Sequence, residues 1–170
     1  MNEVFVNKVA ESGIVTISPE DYLPKATIVN FDLKDYLFMG LILKEKDFRQ
    51  ELKELDGSNY QDKIVALHCS ADAIIPMWAY MLVVASLTCI ATDIIFGNVE
   101  TVKEILTKKN IAGIDLEAFR DSRIVIKGCG ELPIPESVYM ELTKVLLPVV
   151  KSVMYGEPCS TVPVYKRPKI

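Results

Sequence analysis

The sequence predicts an α/β fold: a single domain over residues 1–170, with a mostly parallel central sheet and flanking helices. Three observations predict it. From Lys63 onward the order reads strand, helix, strand, helix, strand, helix, and parallel strands joined by right-handed crossovers are the default for that order. Short β-branched runs bounded by turn signals suit buried strands. Finally, one strand–loop–helix pattern occurs twice, as KIVALHCSADAIIPMWAYMLVVASL from Lys63 and RIVIKGCGELPIPESVYMELTKVL from Arg123. Both copies carry an Ile-Val opening, a cysteine five residues after the Ile, an Ile-Pro pair and a Tyr-Met pair, and one gap aligns them. Residues 63–151 form the expected βαβαβα core, and 152–170 an extended tail.

Taken in order, Ile14–Ile17 is an early strand. Ser18-Pro19-Glu20-Asp21 reads as a helix start, with Ser18 as cap, Pro19 at the first position and Asp21 placed for a capping box. Thr27–Phe31 is a second strand, and Asp32 is placed to cap a short helix over Leu33–Leu37. These two strands either extend the sheet or form a separate flap. Leu41–Leu43 is ambiguous between helix and strand. Lys44–Leu55 is a solvated helix with Phe48, Leu52 and Leu55 as its apolar stripe.

In the first copy, Pro76 starts a helix from residue 77. Ala73–Ala91 contains no charged residue. Its length approaches a membrane span, but Pro76 splits off the first turn and Asp72 and Asp93 flank it where Lys or Arg would be expected. It therefore reads as a helix buried nearly all round, covered by the sheet and by another layer or subunit. That predicts a homo-oligomer, most simply a two-fold dimer. Thr92–Phe96 is a strand and Glu100–Lys109 a helix. Asp115 caps a short helix to Arg120, Ile124–Ile126 is a strand, and Glu136–Val150 is a helix that Pro148 kinks or ends. The tail holds Pro158, Pro163 and Pro168, and Lys166, Arg167 and Lys169 make it basic.

The chain has 170 residues, a formal net charge of −4 and a pI near 5.1. That balance argues against nucleic acid and anionic membranes as partners. The first residues lack an apolar core of signal-peptide length, so a cytoplasmic protein is expected. There, four cysteines are thiols or ligands rather than disulfides.

Cys69 and Cys129 each fall just past a strand and before the amino end of a helix, whose positive end favours a thiolate. Ligands bind at that edge of parallel α/β sheets. If the two strands are neighbours the thiols approach each other, and the tail can bring Cys159 across. Three thiolates with Asp72, Glu131 or Glu157 would suit zinc or an iron–sulfur cluster, Asp72 being the best fourth ligand. The same residues allow a metal-free thiol enzyme or redox protein with Asp72 or His68 as base. They also allow a structural or binding module whose cysteines only pack. Cys89, near the end of the apolar helix, reads as buried filler. His68, beside Cys69 on a strand, points to the opposite face and reads as packed. No nucleotide, dinucleotide or serine-hydrolase motif is present.

The segments VNKVAESGIVTI, LILKEKDFR, CSADAIIPMWAYM, IKGC and GEPCSTVPVYKR resemble a family of small bacterial proteins classed as domain of unknown function number 2480. The likeness runs from near residue 4 to near residue 167. It implies a bacterial cytosolic protein and places Cys69, Asp72, Cys129 and Cys159 within family motifs, with Cys89 outside them. It carries over no catalytic role.

Overall fold

A computed structural model describes residues 13–128, 130–157 and 160–168. Its strands are β1 (Ile14–Ile17), β2 (Ile28–Asp32), β3 (Ile64–His68), β4 (Asp93–Phe96), β5 (Arg123–Ile126), β6 (Ser152–Glu157) and β7 (Ser160–Lys166). The helices are α1 (Glu45–Glu54), α2 (Met77–Leu87), α3 (Val99–Ala112) and α4 (Glu136–Leu146), with four short 3-10 turns between elements. The class is α/β, as expected, and all strand pairs but β6–β7 are parallel.

The expected single central sheet is corrected. The strands form two sheets, ordered β2-β3-β4 and β1-β5-β6-β7. β3 and β5, which carry the two matched segments, are not neighbours; each is a central strand of its own sheet. The apolar runs report burial on both faces, and burial does not encode which strand lies alongside. The chain divides accordingly into two compact units, one of residues 24–105 and one of residues up to 23 together with 106 onward.

Within residues 24–105, Phe31 of β2, Phe48 and Leu52 of α1, Val65 and Leu67 of β3, and Ala79, Val83 and Leu87 of α2 form one buried cluster. Phe31 stacks on Tyr36 at 5.2 Å, and Tyr36 meets Phe48 edge-on at 5.2 Å. In the other unit Ile17, Ile124, Ile126, Val138, Leu142, Leu146 and Val153 form a second cluster. α1 buries the predicted Phe48 and Leu52. Asp32 and Asp115 cap their 3-10 turns through side-chain acceptors, whereas Ser18 caps without a side-chain bond. α4 ends at Leu146, ahead of Pro148.

The tail pairs back on itself: β7, the edge strand among the described residues, runs antiparallel to β6 and carries Pro163, and an edge strand is where a sheet tolerates proline. α2 is not buried all round. Ala79, Val83 and Leu87 face the core while Met77 and Met81 are 71 % and 69 % exposed. Cys89 is exposed, not packed. A long uncharged run therefore does not by itself guarantee cover. Among the described residues no helix is long and apolar enough to cross a membrane.

Several backbone hydrogen bonds of one unit have a counterpart in the other at a spacing of 59 residues. Asp62 N–H donates to the Ile90 carbonyl, and Asp121 N–H to that of Val149. Thr92 donates to Lys63, and Lys151 to Ser122; Ala79 to Pro76, and Val138 to Pro135. Asp62 and Asp121 share a left-handed backbone, φ 58° and 56°, which Asp tolerates better than most residues. The first strands correspond at a different spacing. Ile14 opposes Arg123 as Ile28 opposes Ile64, so ISPEDYL (17–23) answers FDLKDYL (31–37), with Tyr22 matched to Tyr36.

Candidate functional site

In the unit that includes 106–168, β1 and β5 end together. Ile17 pairs with Ile126, and Lys127 N–H donates to the Ile17 carbonyl at 2.9 Å. Ser18, Glu20 and Lys127 therefore emerge at one carboxyl edge, joined by Tyr155 from β6. They line a pocket of about 640 Å³ whose other wall is Gly128, Gly130, Leu132–Ile134, Glu136 and Tyr139. An adjoining hollow of about 490 Å³ brings Lys127 together with Glu20, Glu131 and Glu157.

The walls are tied to each other. Glu20 Oε1 accepts the Leu132 N–H at 2.8 Å, joining the turn after β1 to the loop after β5. A Cβ on Gly130 would strike the Glu20 carboxylate. A Cβ on Gly128 would come 2.6 Å from Tyr155 Cζ, so the ring lies on bare backbone. Tyr155 in turn meets Tyr139 edge-on at 5.8 Å. Pro135 caps α4 without a side-chain bond, and the Glu136 end of the helix faces the pocket, where an axial dipole favours negative charge. Glu157 Oε1 is buried without a hydrogen-bond partner. The pocket thus offers the Lys127 ammonium, the Glu20 and Glu136 carboxylates, two aromatic rings and an apolar wall, a combination suited to a small polar molecule.

The matching edge in residues 24–105 is closed by its own side chains. Asp32 Oδ1 accepts the Lys34 and Ser70 amides at 3.0 and 2.9 Å, and Oδ2 accepts the Ser70 hydroxyl at 2.5 Å. His68 Nε2 lies 3.8 Å from Oδ2, and His68 Nδ1 is buried with no partner. Burial pushes the Asp32 carboxyl up, but the Ser70 hydroxyl, the two amides and His68 outweigh it and hold it below the usual range. His68 is thus a partner of Asp32 at the end of β3 rather than a plain packed residue.

Of the sequence-predicted ligands, Cys69 and Asp72 share the loop after β3. Cys69 is half-buried, its thiol directed at the Ala71 carbonyl 3.7 Å away, and Asp72 is exposed. Cys129 and Cys159 lie outside the described residues. The premise that Cys69 and Cys129 follow neighbouring strands fails, because β3 and β5 belong to different sheets. At the 59-residue spacing the counterpart of Cys69 is Gly128. No group of three or more His, Cys, Asp or Glu placed to hold a metal occurs among the described residues.

Sequence reading missed Glu20, Lys127, Tyr139 and Tyr155 as pocket residues. One signal was available: IVTISPEDYL and IVNFDLKDYL align without a gap, which marks the turn after β1 as a counterpart of the Asp32 turn.

Comparison with known proteins decides the family. The family described as a protein of unknown function, DUF2480, matches residues 3–167. The chain belongs to it. No curated protein and no solved structure matches. For this DUF2480 member, function has to be argued from the carboxyl-edge pocket and its residues.

Proposed function

We propose that the protein binds a small molecule of mixed charge at the carboxyl edge of β1, β5 and β6, in the cytoplasm. The single observation that carries this is the pocket of about 640 Å³ at the ends of parallel strands, the place where open α/β sheets take ligands. Lys127 offers a cation to an anionic group of the ligand. Glu20 and Glu136 offer acceptors to its donors, and Leu132 to Ile134 with the two tyrosine rings cover its apolar part. Glycine at 128 and 130 lets the Tyr155 ring and the Glu20 carboxylate lie against the loop backbone and shape the pocket wall. The cytoplasmic assignment is supported by Cys69 and Cys89, which are free cysteines in the structure.

A thermal-shift panel of small metabolites grouped by charge tests this reading. Zwitterionic members should raise Tm, and Lys127→Ala should remove the rise while leaving the unliganded Tm within a few degrees. A panel with no active member, or shifts that survive Lys127→Ala, would overturn it.

A second reading keeps zinc or an iron–sulfur cluster on Cys69, Asp72, Cys129 and Cys159. It rests on Cys69 and Asp72 sharing one loop, and it has lost the argument from neighbouring strands. Elemental analysis of protein purified without a histidine tag or chelator decides it. Native thiol titration separates a reactive Cys69 from a packed one, and so tests the metal-free thiol alternative.

A further inference from the structure

The 59-residue spacing makes each unit a control for the other, and it isolates one surface. Leu67, Tyr80, Met81, Ile94 and Phe96 line an apolar groove between α2 and β4. Their counterparts Ile126, Tyr139, Met140, Val153 and Tyr155 line the same groove between α4 and β6. Two differences separate the grooves. At β6 the sheet continues into antiparallel β7, whose Val164 reaches the groove. Among the described residues the sheet stops at β4, and Phe96 is 71 % exposed.

The second difference is in the helices. On α4 the outward positions are Glu136, Met140 and Thr143; on α2 they are Met77, Met81 and Val84. All three α2 residues are exposed. Their spacing of four and three makes an apolar stripe opposite the stripe already buried in the core. An uncovered stripe of this kind on one unit, with a mixed one at the same positions of the other, marks an interaction surface.

We infer that this α2–β4 face of residues 24–105 is the interface of a two-fold homodimer, α2 and β4 of one copy packing on α2 and β4 of a second. Two observations select a second copy as the occupant. Residues 73–91 carry no charge, and the one charged residue of β4, Asp93 at its start, is not among the groove-lining residues, so identical groove walls meet with no like-charged pair, whereas the rest of a chain of net charge −4 repels its copy. The equivalent edge at β6 is covered by an extended segment with an apolar side chain in the groove, which is what β4 and Phe96 of a second copy would present. The inference is independent of the pocket reading.

The experiment is sedimentation equilibrium of the full chain at about 1–50 μM. Wild type should be a dimer of the 19.0 kDa chain. Met81→Glu places like charges at the two-fold contact and should weaken dimerisation by about 100-fold or more. Phe96→Lys, on the other wall of the groove, should do the same. Met140→Glu, the counterpart of Met81, should leave the dimer intact, and circular dichroism confirms that each variant folds. Hydrogen exchange on the unmodified chain gives a second readout: amides of 77–97 should gain protection as concentration rises. A wild-type monomer across this range overturns the inference. So does a dimer that survives both groove variants, one that only Met140→Glu dissociates, or a monomeric chain whose α2–β4 face is protected only by an added apolar peptide.

Discussion

Glu20 and Leu132 stand 112 residues apart in the chain, yet the Glu20 carboxylate accepts the Leu132 N–H at 2.8 Å. That bond holds the turn after β1 against the loop after β5 and sets one wall of the pocket. Glu20→Ala should cost about 1 kcal/mol, the ordinary net worth of a solvent-exposed hydrogen bond, read from the urea midpoint. Gly130→Ala should cost at least as much, because the added methyl group displaces the Glu20 carboxylate. If both variants unfold like wild type, the tie does not organise the loop.

Asp32 predicts an acid-side loss of stability. Its carboxyl is held below its unfolded value, so the folded state binds the proton less tightly than the unfolded chain. The stabilisation is complete above the unfolded pKa of about 4 and is lost as pH falls through the folded value. Urea unfolding between pH 2 and 6 should show a decline that Asp32→Asn flattens. At pH 7 Asp32→Ala should cost about 1–2 kcal/mol through the lost acceptor for Ser70 and Lys34.

On the alkaline side Tyr36 governs. Burial, followed by the negative groups Tyr60, Glu51 and Asp35, raises its phenol to about 12. A raised folded value keeps its stabilisation below about pH 10 and loses it as pH climbs toward 12. Absorbance titration near 295 nm should show one tyrosine ionising late, and Tyr36→Phe should remove that step. An ordinary titration in wild type would contradict the burial of this ring between Phe31 and Phe48.

Leu87 and Leu146 are counterparts, each fully buried at the last turn of its helix. Each truncation to alanine should cost about 2–5 kcal/mol. The two clusters share no residue, so Leu146→Ala should speed amide exchange chiefly in β5, β6 and α4, and Leu87→Ala chiefly in β3, β4 and α2. A uniform effect from either variant would show that the cores open together.

The amino-acid sequence determined the local structure. Short β-branched runs became β1, β2, β3, β4 and β5, the Phe48 and Leu52 stripe became the buried face of α1, and Pro76 and Pro135 set the starts of α2 and α4. These signals act within a few residues, through backbone freedom, capping and one-sided burial. Strand pairing joins residues far apart, and an apolar run suits any buried neighbour equally. Only the tertiary structure separated β3 from β5 and gave β1 and β2 to different sheets. It made Gly128 rather than Cys129 the counterpart of Cys69, because the spacing follows backbone hydrogen bonds and not residue identity. The pocket was hidden for the same reason. Ser18, Glu20 and Lys127 are ordinary surface residue types, and only the parallel pairing of β1 with β5 brings them to one edge.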